Sequence, residues 1–221
     1  MVPATIAFDM DGVLLDSQAV ILESLDHALI KHGLPPVPNQ LRFEIVGPPL
    51  RAMLHEILGS DAPEELVESC AIAYRAFNDG EGPYRTPVFK GIEKALQQLA
   101  SLADLIVVTS KRELSAELVL EGTGLHRYFS GVFGSPNDGT VVKKSETLKR
   151  AMGRFENVTV LIGDRYHDID AAHDCGIQSV GVNWGYATDN ELVAAGAGII
   201  VDHPSELLSA LKTVYAITDS D

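Results

Sequence analysis

The chain has 221 residues, 46% hydrophobic and 22% charged, which is enough to bury a full core and ordinary for a globular protein. Its 31 acidic residues against 17 basic ones give a formal charge of −14, which argues against nonspecific binding to nucleic acid or anionic membranes, since both need a basic surface. No apolar run reaches the ~20 residues of a membrane-spanning helix, no basic stretch leads into an apolar signal core, and Cys70 and Cys175 are too few for a disulfide framework or a Cys-based zinc site, so a cytoplasmic protein is expected.

Thr5-Ile6-Ala7-Phe8 reads as a short buried strand running into Asp9-Met10-Asp11-Gly12. Residues two apart project from the same side of an extended chain, so Asp9 and Asp11 can face one substrate, and Gly12 lets the backbone turn sharply where the strand ends. Ligands of open α/β sheets bind at that end. Two carboxylates there suit phosphoryl transfer, although a lone Asp-x-Asp pair also fits a capped turn.

Residues 17–84 have helical character. Val20, Ile21, Ser24, Leu25, Ala28 and Leu29 form one stripe that ends near Gly33, and Pro35, Pro36 and Pro38 interrupt it. Three further helical pieces are expected over 39–45, 49–58 and 63–77, separated by Gly47-Pro48 and Gly59-Ser60-Asp61. Arg42 and Arg51 could meet substrate charge, but exposed helical arginines are common without a ligand. After Thr86-Pro87 helices alternate with strands expected near 105–109, 132–134, 158–162, 179–182 and 198–201, the pattern of a parallel sheet.

Within that second part, the strand Leu105-Ile106-Val107-Val108 ends in the hydroxyl pair Thr109-Ser110. Lys143 and Lys144 precede an amphipathic helix with Leu148, Ala151 and Met152 on one side, and Ser145 reads as its N-cap. Val158-Thr159-Val160-Leu161-Ile162 runs into Gly163-Asp164-Arg165-Tyr166-His167-Asp168, where either aspartate alone could simply cap a helix. His167 reads as a helix-start residue or an outer neighbour of a metal site, not a direct ligand.

Asp9-x-Asp11-Gly12-x-x-x-Asp16-Ser17 resembles the first signature of the haloacid dehalogenase-like superfamily of phosphatases, and the segments at Thr109-Ser110, Lys144 and Gly163-Asp164-x-x-x-Asp168 are similar to its other three, in order. The form Gly163-Asp164-Arg165-x-His167-Asp168-Ile169, followed by Gly181-Val182-Asn183-Trp184-Gly185-Tyr186, is similar to the phosphoglycolate phosphatase-like branch. The resemblance implies an α/β fold: a Rossmann-like parallel-sheet core of residues 1–16 and 85–221 with an inserted α-helical cap of residues 17–84.

It also implies Mg2+-dependent hydrolysis of a small phosphate monoester, phosphoglycolate first, through an aspartyl phosphate. Asp9 would be the nucleophile and Asp11 the acid and base; Asp9, Asp11 (through its main-chain carbonyl) and Asp164 would hold the metal, with Asp168 supporting it through water or from a second layer. Thr109, the Ser110 amide and Lys144 would bind the phosphoryl group. Many relatives have Lys-Pro where this chain has Lys144-Ser145; Lys143 competes for the role, and Lys144 is preferred because it directly precedes Ser145. Oxygen-only ligation beside a phosphate suits Mg2+ better than zinc or copper. The expected partner is a small phosphorylated metabolite, with the chain a monomer or homodimer. Alternatives are a nucleotidase, a sugar-phosphate phosphatase, a phosphomutase, or a non-catalytic phosphometabolite-binding protein. Asp11 argues against haloalkanoate dehalogenation, which needs no acid for a halide.

Overall fold

The computed structural model describes residues 4–42, 45–138 and 140–218. Its sheet contains β1 (Thr5–Phe8), β2 (Asp104–Arg112), β3 (Gly131–Ser135), β4 (Val158–Gly163), β5 (Gln178–Val182) and β6 (Ile199–Val201). They lie in the order β3-β2-β1-β4-β5-β6, with every neighbouring pair parallel. This is a doubly wound, Rossmann-type order, and the chain changes direction across the sheet on the two sides of β1. The expected strands are therefore all present, within a residue or a few at each end.

Strand alternation explains the two-sided core. Ile6, Phe8, Leu105, Val107, Val160 and Ile162 pack on one face against helices α4 (Ile92–Leu99), α5 (Glu113–Gly122) and α9 (Leu207–Thr218). Ala7, Ile106, Val108 and Leu161 pack on the other face against α6 (Lys144–Met152) and α7 (Tyr166–Asp174). Each central strand is thus buried on both faces and reads as a continuous apolar run. A short helix, α8 (Glu191–Ala194), precedes β6.

Between β1 and α4 lie α1 (Gln18–Lys31), α2 (Leu50–Leu58) and α3 (Glu64–Arg85). Their apolar faces meet one another through Leu25, Leu29, Leu54, Val67 and Cys70, separately from the sheet's own clusters. Both cysteines are free; Cys70 is buried and Cys175 half-buried, as packing residues should be.

Three local expectations need correction. Residues 39–42 form turns and not a helix, with residues 43 and 44 outside the described residues. Pro38 on one side and Gly47-Pro48 on the other leave too short a segment to propagate a helix, and Asp26 fixes the loop by accepting Val37 N at 2.8 Å and pairing with Arg42 at 3.0 Å. Helix α3 does not stop near Phe77 but continues to Arg85 through Gly80, Gly82 and Pro83. Its last turns dock so tightly on α5 that a Cβ at Gly122 would overlap the Pro83 carbonyl. Third, α6 begins at Lys144, so the cap position is Lys143, and Ser145 lies inside the first turn with its carbonyl accepting Cys175 Sγ at 3.5 Å.

Candidate active site

Asp9 directly follows β1, and its N–H donates to Ile162 O at 2.8 Å, continuing the strand pairing for one more residue. The chain then turns through Gly12, whose φ of +85° is a left-handed conformation that glycine tolerates. Asp164 follows β4 and Asp168 sits in the first turn of α7, where its Oδ2 accepts Arg165 N at 3.1 Å. Lys144 enters from the start of α6. These four residues converge at the carboxyl ends of the strands beside the point where strand order reverses.

Three glycines make room for the carboxylates. A Cβ at Gly12 would overlap Asp164 Oδ2, one at Gly163 would overlap Asp168, and one at Gly185 would overlap Asp164 and lie 2.5 Å from Gly12 O. Asp164 Oδ2 also accepts Tyr186 N at 2.7 Å, so the loop after β5 aims this side chain. Gly185→Ala should lower stability by about 1–3 kcal/mol, since the obstruction includes backbone, whereas Gly80→Ala, on open helix surface, should be neutral or stabilising. Thermal unfolding of the two variants checks this; equal effects would contradict a steric cradle.

The charges are densely coupled. Lys144 Nζ lies 2.8 Å from Asp9 Oδ2 and also bonds Asp168 Oδ1, with both lysine and aspartates buried. Burial lifts the Asp9 carboxyl to about 6, helped by Asp168 and Asp11 and opposed by Lys144. Burial, then Asp168 and Asp9, raises Asp164 well above the ordinary carboxylate range. Burial works against the Lys144 cation, but Asp168 and Asp9 outweigh it and hold the ammonium charged. Lys143, by contrast, is exposed.

Asp9, Asp164 and Asp168 each offer a carboxylate oxygen within 4.8 Å of the others. Asp9 Oδ1 and Asp164 Oδ1 are buried without a hydrogen-bond partner. Such oxygens are costly to desolvate unless a cation satisfies them, and a hard, all-oxygen donor set fits Mg2+. His167 is not part of this group; its half-buried ring lies against Tyr166 at a tilt of 41°, and burial lowers its pKa.

Thr109 and Ser110 lie at the end of β2, where its register with β3 shifts between Val108 and Arg112. Such an irregularity re-aims side chains at a sheet end. Thr109 is buried, and its Oγ1 accepts Lys111 N at 3.2 Å. Both Thr109 and Ser110 join Asp9 and Asp11 in lining a cavity of about 80 Å³ between the sheet and the helices α2 and α3. Arg51 also lines it, tied to Glu64 and Glu68, while Arg42 stays away on Asp26.

One residue in this cavity escaped the sequence reading. Lys111 Nζ pairs with Asp11 Oδ2 at 2.9 Å. The signal existed: Lys111 stands two residues after Thr109, the same spacing that joins Asp9 to Asp11. Besides the docking of α3 on α5, polar contacts tie the α2–α3 side of the cavity to the sheet side. Arg112 pairs with Asp79 of α3, and Arg165 Nη1 donates to Val46 O at 2.6 Å while its Nε bonds Glu191.

Residues 6–182 match the family model described as haloacid dehalogenase-like hydrolase. The tyrosine-protein kinase PtkA of Mycobacterium tuberculosis is 36% identical over 83% of this chain, and the match spans 63% of that relative's length. A phosphoglycolate phosphatase of Neisseria meningitidis is 31% identical over 95% of this chain and 91% of its own. Among solved structures, one described as a predicted phosphatase from Clostridium acetobutylicum superposes with a TM-score of 0.86 at 30% identity, covering 96% of this chain and all of its own. Among the described residues, no helix is long and apolar enough to cross a membrane.

Proposed function

This chain belongs to the haloacid dehalogenase-like hydrolase family, and on that basis we propose that it hydrolyses small phosphate monoesters through a phosphoryl group carried on Asp9. The observation that carries the reading is the pairing of Asp9 with Lys144 on one side and its unpartnered Oδ1 on the other, next to Asp11 at a cavity floor. Asp9 and Asp164 side chains and the Asp11 carbonyl would hold Mg2+, with Asp168 behind them. When bound, the metal supplies positive charge that offsets repulsion between carboxylates and phosphate.

In the first half-reaction an Asp9 carboxylate oxygen forms a bond to phosphorus, the ester P–O bond breaks, and its electron pair leaves on the alcohol oxygen. Asp11 gives that oxygen a proton. In the second, Asp11 accepts a proton from water as the water oxygen bonds to phosphorus, and the acyl-phosphate P–O bond breaks to restore the Asp9 carboxylate. Lys144, the Thr109 hydroxyl and the Ser110 amide stabilise charge on the non-bridging oxygens. Residues 17–84 act as a cap that closes the cavity against bulk water and shapes the choice of alcohol, over a core of 1–16 and 85–221. This division is supported by the separate packing of α1–α3 and by a cavity walled from both sides.

Phosphoglycolate is the first substrate to try, on the similarity to a phosphoglycolate phosphatase over 95% of this chain. The kinase relative favours a second reading, in which the same phosphoryl group passes to a hydroxyl acceptor and not to water. Release of free phosphate from a panel of phosphorylated metabolites, dependent on Mg2+ and lost in chelator, separates the two. Transfer to an acceptor without release would support the second.

The raised carboxyls also predict how the metal-free protein responds to pH. A group whose pKa is raised by folding adds stability below its unfolded value, here 3.8 for Asp9, and that contribution is lost as pH rises through the folded value of about 6. Asp164 shifts in the same direction. Without metal, the melting temperature should therefore fall as pH rises from 3.8 through about 6, by roughly 5 °C or more. Saturating Mg2+ should oppose the fall, so its stabilising effect should be larger at pH 7.5 than at pH 5. An equal Mg2+ effect at both pH values would count against metal binding by these carboxylates.

A further inference from the structure

Asp9 and Asp11 each pair with a different lysine, the buried Lys144 and the half-buried Lys111, and the two lysines serve different halves of the site. Lys144 comes from α6 and pairs with Asp9 and Asp168, on the phosphoryl side. Lys111 comes from the irregular end of β2 and pairs with Asp11, its side chain only 12% exposed. Of the two, Lys111 lines the cavity under α2 and α3.

That cavity runs against the charge of the whole chain. Acidic residues outnumber basic ones 31 to 17 overall, yet among the described residues the cavity lining contains Arg51, Arg75, Lys111 and Arg112 against Asp9 and Asp11. The three arginines are balanced by acids outside the lining: Arg51 by Glu64 and Glu68, Arg75 by Glu68, and Arg112 by Asp79. Of these four cations, Lys111 is the one whose acidic partner belongs to the cavity itself. An ammonium has three N–H donors, and the contact with Asp11 uses one.

We propose that Lys111 is a specificity-determining residue that pairs with an anionic group on the alcohol half of the ester, so that favoured substrates carry a carboxylate close to the ester oxygen. The proposal rests on the phosphate-ester reading above. Its geometric basis is the 2.9 Å contact between Lys111 and Asp11. A leaving oxygen served by Asp11 and an anion held by Lys111 must then be separated by only a few bonds. A flexible lysine offers a point charge there, which suits a small anion without demanding a bidentate geometry.

The test compares kcat/KM for 2-phosphoglycolate and ethyl phosphate, which differ in the carboxylate, in the unaltered protein, Lys111→Met and Lys111→Arg. The unaltered protein should prefer 2-phosphoglycolate by on the order of 30-fold or more, the loss expected when one partner of a buried charge pair is removed. Lys111→Met should bring that ratio close to one, and Lys111→Arg should keep most of it. The ratio is internal to each variant, so lower overall activity does not blur it. A lysine that only positions Asp11 would slow both esters equally, and an unchanged ratio in Lys111→Met would overturn the proposal. Turnover of p-nitrophenyl phosphate tests the hydrolase reading separately. If that ester is hydrolysed but 2-phosphoglycolate is not preferred, the Lys111 role fails and the hydrolase reading stands; if none of the three esters is hydrolysed in Mg2+, both fail.

Discussion

Asp9→Asn should cut phosphate-ester turnover by about four orders of magnitude or more, the scale of loss when a covalent nucleophile is removed. The neutral amide keeps the shape of the side chain but attacks phosphorus poorly. Loss of fold is not the expected cause. Asp9 is buried with its carboxyl raised to about 6, so replacing a desolvated charge with an amide should leave metal-free stability at pH 7.5 equal to or above that of the unaltered protein. Lys144 retains Asp168 as its partner in the variant. Kinetics and thermal unfolding measured together decide the point. Near-normal Mg2+-dependent turnover by Asp9→Asn would remove the nucleophile assignment, and a collapse of stability with activity would make the kinetic loss uninformative about chemistry.

The second large effect is expected at Lys144. Lys144→Ala should lower kcat/KM by about 30- to 1,000-fold, or roughly 2–4 kcal/mol of transition-state stabilisation, because a preorganised cation facing developing charge is worth most in a dry site. Lys143→Ala should change it by no more than about twofold, as expected for an exposed lysine. The contrast follows from position: Lys144 is buried between Asp9 and Asp168, and Lys143 is on the surface. Lys144→Ala should also destabilise the metal-free fold, since it leaves buried carboxylates without their cation. Measuring both variants at saturating Mg2+ limits that contribution. A larger loss at Lys143 would reverse the assignment.

Much of this architecture was legible because it depends on short-range pattern. The apolar runs ending at Phe8, Val108 and Ile162 mark strands whose ends gather the polar groups, and the two-residue spacing of Asp9 and Asp11 follows from strand geometry. What was not legible came from contacts distant in sequence. Gly80, Gly82 and Pro83 are local helix breakers, yet docking of α3 against Gly122 overrides that preference. Ser145 has the chemistry of an N-cap, but the helix starts one residue before it. Lys144 nevertheless reaches Asp9, from the first residue of α6 and without a cap at Ser145. Lys111 carries no mark of its own in the sequence, because a lysine near a strand end is commonplace and only the contact with Asp11 distinguishes it. The glycine cradle around Asp164 was equally hidden, since it joins residues 12 and 185 across the sheet.

The central claim is that phosphorus undergoes two displacements, first by Asp9 and then by water. It is tested most directly by the stereochemical course at phosphorus, using a chiral thiophosphate ester hydrolysed in isotopically labelled water with Mg2+ present. Each in-line displacement inverts the centre. Two displacements predict net retention in the released thiophosphate, whereas net inversion would mean that water attacks the ester directly and would contradict a phosphoryl group carried on Asp9.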